Sequence, residues 1–238
     1  MLRTRQRGNH NSKICIAIAA PTISELHSKA IAARKYNPGF IELRVDYLKE
    51  DLSNPRNRDR ISRLFDGREI LTLRSKSEGG KFKGTERESV ELIKEFVYQF
   101  HPRYVDVELS TLSQEKDLLL TLEDNSRRTK VIGSVHFFDR TPSQTALERL
   151  VSRSNDSLFA LKIACSAKTF KDNFKVLSLY NIQRSQKLIA FCMGPFGMFS
   201  RIACIMLGSP LTYASLPEEQ IASGQLDALT MNQLLSKL

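Results

Sequence analysis

The chain has 238 residues, of which 41% are hydrophobic and 26% charged, with only 11 Gly and 8 Pro. That is enough for one large single-core domain, and it excludes a disulfide-stapled miniprotein, a collagen-like chain and a disordered one. Thirty-six Lys and Arg against 26 Asp and Glu leave a formal charge of +10, which invites nucleic acid, an anionic membrane or an acidic small molecule as partner.

Residues 1–12 carry Arg3, Arg5 and Arg7 and no acid, and read as a basic, mobile N-terminal tail. The apolar run after it, with Ala17-x-Ala19, imitates a secretory signal. It is short and rich in β-branched residues, so it reads as a buried strand instead. From Lys13 to the end, residues 13–238, one unit repeats: a short apolar run, a few turn residues, then a longer amphipathic segment. The strand-like runs are Ile14–Ala19, Phe40–Val45, Glu69–Leu73, Tyr104–Leu109, Val131–Val135, Phe159–Ile163, Leu188–Phe191 and a weaker Leu211–Tyr213. Helical stretches between them include Ser24–Arg34, Glu86–Phe100, Ser143–Arg153, Lys168–Tyr180 and Met198–Met206, with Thr22, Thr141 and Ser166 as N-cap candidates.

About eight βα units of near-continuously apolar strands predict a single-domain (β/α)8 TIM barrel, an α/β fold. A doubly wound open sheet is the runner-up, but no G-x-G-x-x-G follows the first strand. Cys15, Cys165, Cys192 and Cys204 are scattered without a C-x-x-C pair, so they read as reduced, buried thiols of a cytoplasmic protein. The longest uncharged stretch, Ile202 to Pro217, is broken by Gly208 and Pro210, so no membrane span is expected.

In a barrel, chemistry sits at the C-terminal strand ends. The second strand alternates Glu42-Leu43-Arg44-Val45-Asp46, which points three charges to one face, either as a bracing salt-bridge network or as a site. The third ends at Arg74, followed by Ser75-Lys76-Ser77-Glu78-Gly79-Gly80, a loop with a flexible glycine pair able to fold over a ligand. Glu108 lies on the fourth strand. His136 ends the fifth, where it is a candidate general acid and base; His10, His27 and His101 read as structural or solvated. Lys162 stands inside an apolar strand, either paired with a rim carboxylate or serving as a Schiff-base amine desolvated by Leu161 and Ile163 and crowded by cations. After the seventh strand, Gly194 and Gly197 open the backbone to a ligand near a helix N-terminus, and Arg201 is placed to clamp a carboxylate.

Together, Glu42-x-Arg44-x-Asp46, Arg74-x-x-x-Glu78-Gly-Gly, Asp106-x-Glu108, Ser134-x-His136-x-Phe138, Lys162-Ile-Ala, Met193-Gly-x-x-Gly-x-x-Ser-Arg201 and Gly224-Gln225 resemble the type I 3-dehydroquinate dehydratases, in order along nearly the whole chain. The resemblance implies dehydration of 3-dehydroquinate to 3-dehydroshikimate in the shikimate pathway, with neither an organic cofactor nor a metal. It casts Lys162 as the imine-forming amine, His136 as the base and acid, and Glu78 as the carboxylate that orients the histidine and raises its pKa. Glu42, Arg44 and Arg74 resemble substrate-binding positions, Arg201 the partner of the substrate carboxylate, and Met193 and Gln225 further pocket residues. Phe137 stands where the family often has Asp, and Ser223 where it commonly has Pro. A homodimer is implied, with apolar helix faces such as Ile202–Leu207 as the interface.

Two alternatives are a class I aldolase, which also uses a barrel lysine, and a nucleic-acid-binding protein. The aldolase usually needs a phosphate site after the last strands, where this chain offers one Arg and one Gln. Against nucleic acid, the basic residues are dispersed and no recognition motif is present.

Overall fold

The structure, a computed structural model, describes residues 10–126, 129–217 and 219–237. In chain order the elements are β1 (Ile14–Ala19), α1 (Ile23–Arg34), β2 (Phe40–Arg44), α2 (Pro55–Ser62), β3 (Glu69–Thr72), α3 (Glu86–Phe100), β4 (Tyr104–Glu108), α4 (Leu109–Gln114), α5 (Leu118–Ser126), β5 (Lys130–Phe137), α6 (Gln144–Arg153), β6 (Ala160–Ser166), α7 (Asp172–Leu177), β7 (Lys187–Met193), α8 (Met198–Met206), β8 (Thr212–Ala214) and α9 (Ala228–Leu235). Of the expected tail, residues 10–12 belong to a 3-10 turn, His10–Lys13, that leads into β1. Residues 1–9 lie outside the described residues.

Eight parallel strands pair in the order β7-β6-β5-β4-β3-β2-β1-β8. The first strand is flanked by the second and the eighth, the cyclic order of a nearly closed (β/α)8 barrel and not that of a doubly wound sheet. Between β7 and the three-residue β8 the described residues form no ladder. That seam is closed by side chains instead: the Phe191 and Tyr213 rings lie 5.8 Å apart, and Thr212 Oγ1 donates to the Arg201 carbonyl at 2.6 Å.

Strand alternation divides the molecule into two cores. Ile41, Leu43, Leu71, Val105, Val107 and Val131 face outward and pack under the helices, fully or almost fully buried; each such burial stabilises the fold by roughly 1.5–3 kcal/mol. The inward positions carry the second core. Its lower layer is aromatic: the Tyr104 ring contacts Phe40 at 5.3 Å and Phe159 at 4.9 Å, plugging the N-terminal end of the barrel. Above it, Glu42, Thr72, Asp106, Ser134 and Lys162 form a buried polar layer. The four cysteines are unpaired and buried.

Local chemistry sets the helix starts. Thr22 accepts the Glu25 amide, Thr85 forms a capping box with Glu88, and Asp227 accepts the Thr230 amide. Two expected caps fall elsewhere: Ser166 is the last residue of β6, and Thr141 donates to its carbonyl at 2.9 Å while Ser143 caps α6. The segment expected as one helix over Lys168–Tyr180 is a short α7 followed by a 3-10 turn, Ser178–Asn181. The Asp172 carboxylate accepts the amides of Lys168 and Thr169, which holds those residues in a turn ahead of the helix. No helix among the described residues is long and apolar enough to cross a membrane.

Candidate active site

The C-terminal ends of the strands surround a cavity of about 440 Å³. Glu42, Arg44, Arg74, Glu78, His136, Lys162, Met193, Arg201 and Gln225, all singled out from sequence, line it together. His27 and His101 do not. The His27 ring contacts the Arg60 carbonyl and His101 ends α3 in a left-handed conformation.

Alternation on β6 points Lys162 inward, with Ser134 and Ile189 as its neighbours in register. Its Nζ donates to Asp106 Oδ2 at 2.9 Å and to Glu42 Oε1 at 3.2 Å, and stands 4.2 Å from the centre of the Tyr213 ring. Leu161 and Ile163, expected to desolvate the amine, belong to the outer core instead, because adjacent strand residues face opposite sides. Two carboxylates and an aromatic face surround the nitrogen.

Asp106, to which the motif pattern assigns no role, is the hub of this layer. It accepts from Lys162, from Arg74 Nη2 at 2.5 Å and from Ser134 Oγ at 2.5 Å. Burial alone would push its carboxyl up, but Arg74 and Lys162 hold it well below the usual range. Arg74 also donates to Ser134 at 2.8 Å and lies 3.4 Å from Glu108 and 3.6 Å from Glu78. The signal for Asp106 was present in Tyr104-Val105-Asp106-Val107-Glu108, whose alternation places both acids on the inner face.

Arg44 makes a two-pronged ion pair with Asp46, both contacts 2.8 Å. Asp46 reaches it from a 3-10 turn, Val45–Tyr47, since β2 ends at Arg44 and does not extend through Val45.

His136 Nδ1 contacts Glu78 Oε2 at 2.8 Å, which brings the two motifs together. The expected rise in the imidazole pKa does not occur. Burial and the cations Arg74 and Lys162 push it well below its ordinary value. Burial, with Glu108 nearby, pushes the Glu78 carboxyl up to about 8 against the pull of Arg74. The exposed Phe138 ring stacks on His136 with centroids 6.0 Å apart and 15° between planes. On the same side, Gly79 ends the Lys76–Glu78 turn at φ +74, and a Cβ there would lie 2.3 Å from the Phe138 ring. Gly80 donates to Ser75 O at 2.7 Å and packs on the Arg74 backbone. The glycine pair is a packed turn that seats Glu78.

Arg201 is almost wholly buried, and its Nε and Nη2 have no hydrogen-bond partner among the described residues. Its guanidinium lies over the Phe191 ring at 4.6 Å, and burial lowers its pKa to about 10. Gly194 lines the cavity, but Gly197 does not: a Cβ there would lie 2.5 Å from the Cys192 backbone, so that glycine serves close packing. Across the mouth, the Ser223 carbonyl accepts the Gly194 amide at 3.0 Å. Gly224, at φ +70, sits where a Cβ would lie 2.2 Å from the Gly194 carbonyl oxygen. The loop that has Ser223 in place of proline is thus fastened to the β7 loop. Gln225 Oε1 accepts the Ile221 and Ala222 amides, both at 3.2 Å, which leaves its NH₂ as the donating end.

The pattern of the family described as type I 3-dehydroquinase matches residues 14–238. The chain belongs to that family. A 3-dehydroquinate dehydratase of Methanococcus maripaludis strain C6 is 32% identical over 224 residues, spanning 93% of this chain and 98% of the relative. One from Thermococcus gammatolerans is 35% identical with the same coverage of both. Among solved structures, the Aquifex aeolicus 3-dehydroquinate dehydratase is 27% identical with a TM-score of 0.75, covering 95% of this chain and 98% of that one. The Geobacillus kaustophilus enzyme, at 23% identity, shows the same fold with a TM-score of 0.83, over 95% of this chain and 90% of its own. Membership of the type I 3-dehydroquinases sets aside both the aldolase and the nucleic-acid reading.

Proposed function

We infer that this type I 3-dehydroquinate dehydratase, a hydro-lyase of the shikimate pathway, removes water from 3-dehydroquinate through an imine on Lys162. One observation carries the reading. A buried guanidinium with no carboxylate partner among the described residues, Arg201, and a buried amine, Lys162, line one small cavity, matching a substrate with a carboxylate and a ketone.

In this mechanism the substrate carboxylate supplies the counter-ion that Arg201 lacks. Lys162 Nζ, having lost a proton, adds to the ketone carbon, and the oxygen leaves as water to give an iminium. Asp106 is committed to Arg74, so Glu42 is the carboxylate in reach that takes the amine's proton and then returns it to the departing oxygen. His136 then removes the proton on the adjacent carbon through Nε2, with Nδ1 held by Glu78. The iminium nitrogen accepts the electron pair as an enamine. The enamine expels the β-hydroxyl, which takes the proton back from His136 and departs as water. Hydrolysis of the new iminium releases 3-dehydroshikimate and restores Lys162. Arg44, Arg74, Met193 and Gln225 shape the pocket around the substrate's hydroxyls.

The test is covalent capture: 3-dehydroquinate and borohydride are added together, and the protein is weighed intact and mapped by peptide. A reduced adduct on Lys162 with loss of activity is expected. No adduct, or one on another residue, would discard the mechanism.

We further propose that the enzyme is a cytoplasmic homodimer. Four buried unpaired thiols support a reducing compartment. For the dimer, the support is an exposed apolar face. Phe170 contacts Phe174 at 5.7 Å and Phe199 at 5.4 Å, all three about half exposed, and Phe196, Met206 and Leu207 are also exposed. Of the expected Ile202–Leu207 face, Ile202 and Ala203 are partly buried on the core, so Phe199 and Met206 carry the exposed side of α8. With about half of a full ring's 150–250 Å² exposed on each of the four phenylalanines, the rings supply about half of the roughly 800 Å² per partner of a standard interface, and Met206 and Leu207 extend it.

A further inference from the structure

Tyr213 takes no part in the mechanism above, yet it lines the cavity from β8 and is almost wholly buried. Its ring faces the Lys162 ammonium at 4.2 Å, and its phenol oxygen has no hydrogen-bond partner among the described residues. A buried hydroxyl left unpaired destabilises the fold, whereas a phenylalanine would supply the same ring face without that cost. The hydroxyl therefore has no part in holding the empty protein together.

The neighbouring geometry shows what the ring does. Phe191, across the β7–β8 seam, lies 5.8 Å from Tyr213 and carries the Arg201 guanidinium on its face at 4.6 Å. Two buried cations thus rest on two adjoining rings: Arg201 on Phe191 and Lys162 on Tyr213. The aromatic pair fixes the separation between the carboxylate site and the ketone site. An aromatic face favours a cation over a neutral group at the same place, so Tyr213 favours the protonated iminium over the neutral imine. Only the iminium draws electrons strongly enough to acidify the adjacent carbon.

We propose that Tyr213 is a further catalytic residue of this enzyme, its ring stabilising the iminium on Lys162 and its hydroxyl hydrogen-bonding a polar group of the bound substrate. This inference rests on the imine reading above. No bond to Tyr213 forms or breaks, and the reaction's atoms and protons balance as already given.

Two replacements separate ring from hydroxyl. Tyr213→Phe keeps the ring and removes the hydroxyl; it is expected to raise the melting temperature of the substrate-free enzyme and to raise KM for 3-dehydroquinate about 3- to 10-fold, with kcat nearly unchanged. Replacing Tyr213 by pentafluorophenylalanine keeps the shape but reverses the ring's charge distribution. That variant is expected to lose about a further 10-fold in kcat relative to Tyr213→Phe. A Tyr213→Phe enzyme with wild-type KM, or with a lower melting temperature, overturns the role of the hydroxyl. A fluorinated variant with the kcat of Tyr213→Phe overturns the role of the ring. Borohydride capture on the wild-type enzyme keeps the two readings apart. Absence of a Lys162 adduct there defeats the imine mechanism itself, while a normal adduct with unaffected Tyr213 variants defeats this inference alone.

Discussion

Glu78 and His136 face each other at 2.8 Å, and their environments displace them in opposite directions, the carboxyl up to about 8 and the imidazole down. Below about pH 8 the Glu78 carboxyl keeps its proton and donates to Nδ1, so the neutral ring holds its own proton on Nε2 and has no lone pair to offer the cavity. Above it, ionised Glu78 accepts from Nδ1 and frees Nε2.

The expected consequence is a rise in kcat/KM through about pH 8. In Glu78→Gln, which has no proton to lose, that limb is absent and turnover falls by about 10²–10⁴-fold. Stability moves oppositely. The folded protein holds a Glu78 proton that the unfolded chain releases above its ordinary value of 4.5, so this group's contribution declines from there to about pH 8. His136, with its folded pKa depressed, adds stability as pH rises toward its ordinary 6.5 and nothing further above it. Glu78→Gln should therefore gain stability over wild type as pH is raised from 5 to 9. Thermal melts across that range and a pH–rate profile check both; an unchanged limb in the variant would remove Glu78 from the pair.

Arg201 is a buried cation without a counter-ion among the described residues, so its removal should help the empty protein and harm the complex. Arg201→Met is expected to melt at a higher temperature without substrate. Its KM for 3-dehydroquinate should rise by at least about 30-fold, the loss expected when one member of a buried charge pair is cut away. A variant with wild-type KM would place the substrate carboxylate elsewhere.

Gly79→Ala tests how the histidine is positioned. The new methyl would lie 2.3 Å from the Phe138 ring that stacks on His136, and alanine is strained at φ +74. Displacing the ring should lower kcat roughly 10- to 100-fold. Pairing it with Phe138→Ala removes the clash, so the double variant should lose less than the sum of the two single losses. Additive losses would mean that the ring and the glycine act independently.

Asp106→Asn leaves Arg74 and Lys162 without their shared anion. Breaking a buried pair from one side costs about 3–5 kcal/mol, which urea unfolding would read as a lower midpoint at unchanged slope. A midpoint equal to wild type would show that Glu108 and Glu42 suffice for the two cations.

The dimer is checked by sedimentation. Wild type should sediment as a dimer at micromolar concentration, and Phe170→Asp with Phe199→Asp as a monomer. A monomeric wild type would leave the Phe170–Phe199 face without this partner.

The repeating βα order is written in the amino-acid pattern, and with it which strand ends hold Glu42, Arg74, His136 and Lys162. Strand alternation and helix periodicity are local properties, set by which side chains must leave water, and they survive without knowledge of the fold. The family motifs on those strand ends made the chemistry legible as well. What the tertiary structure decided is how the charges meet. Asp106 is an unremarkable inward residue in the sequence, and becomes the hub only because barrel closure brings β3, β5 and β6 around it. The direction of the His136 shift depends on the same closure. A carboxylate neighbour alone favours the imidazolium, but burial and two cations arriving from β3 and β6 outweigh it. Tyr213 left no readable signal, since β8 has three residues and too little length for a pattern. Its place beneath Lys162 is fixed only by the pairing of β8 with β1 and by the aromatic seam with Phe191. Periodicity assigns a side chain to a face; which charges then share that interior, and how far burial shifts them, depends on strands distant in sequence.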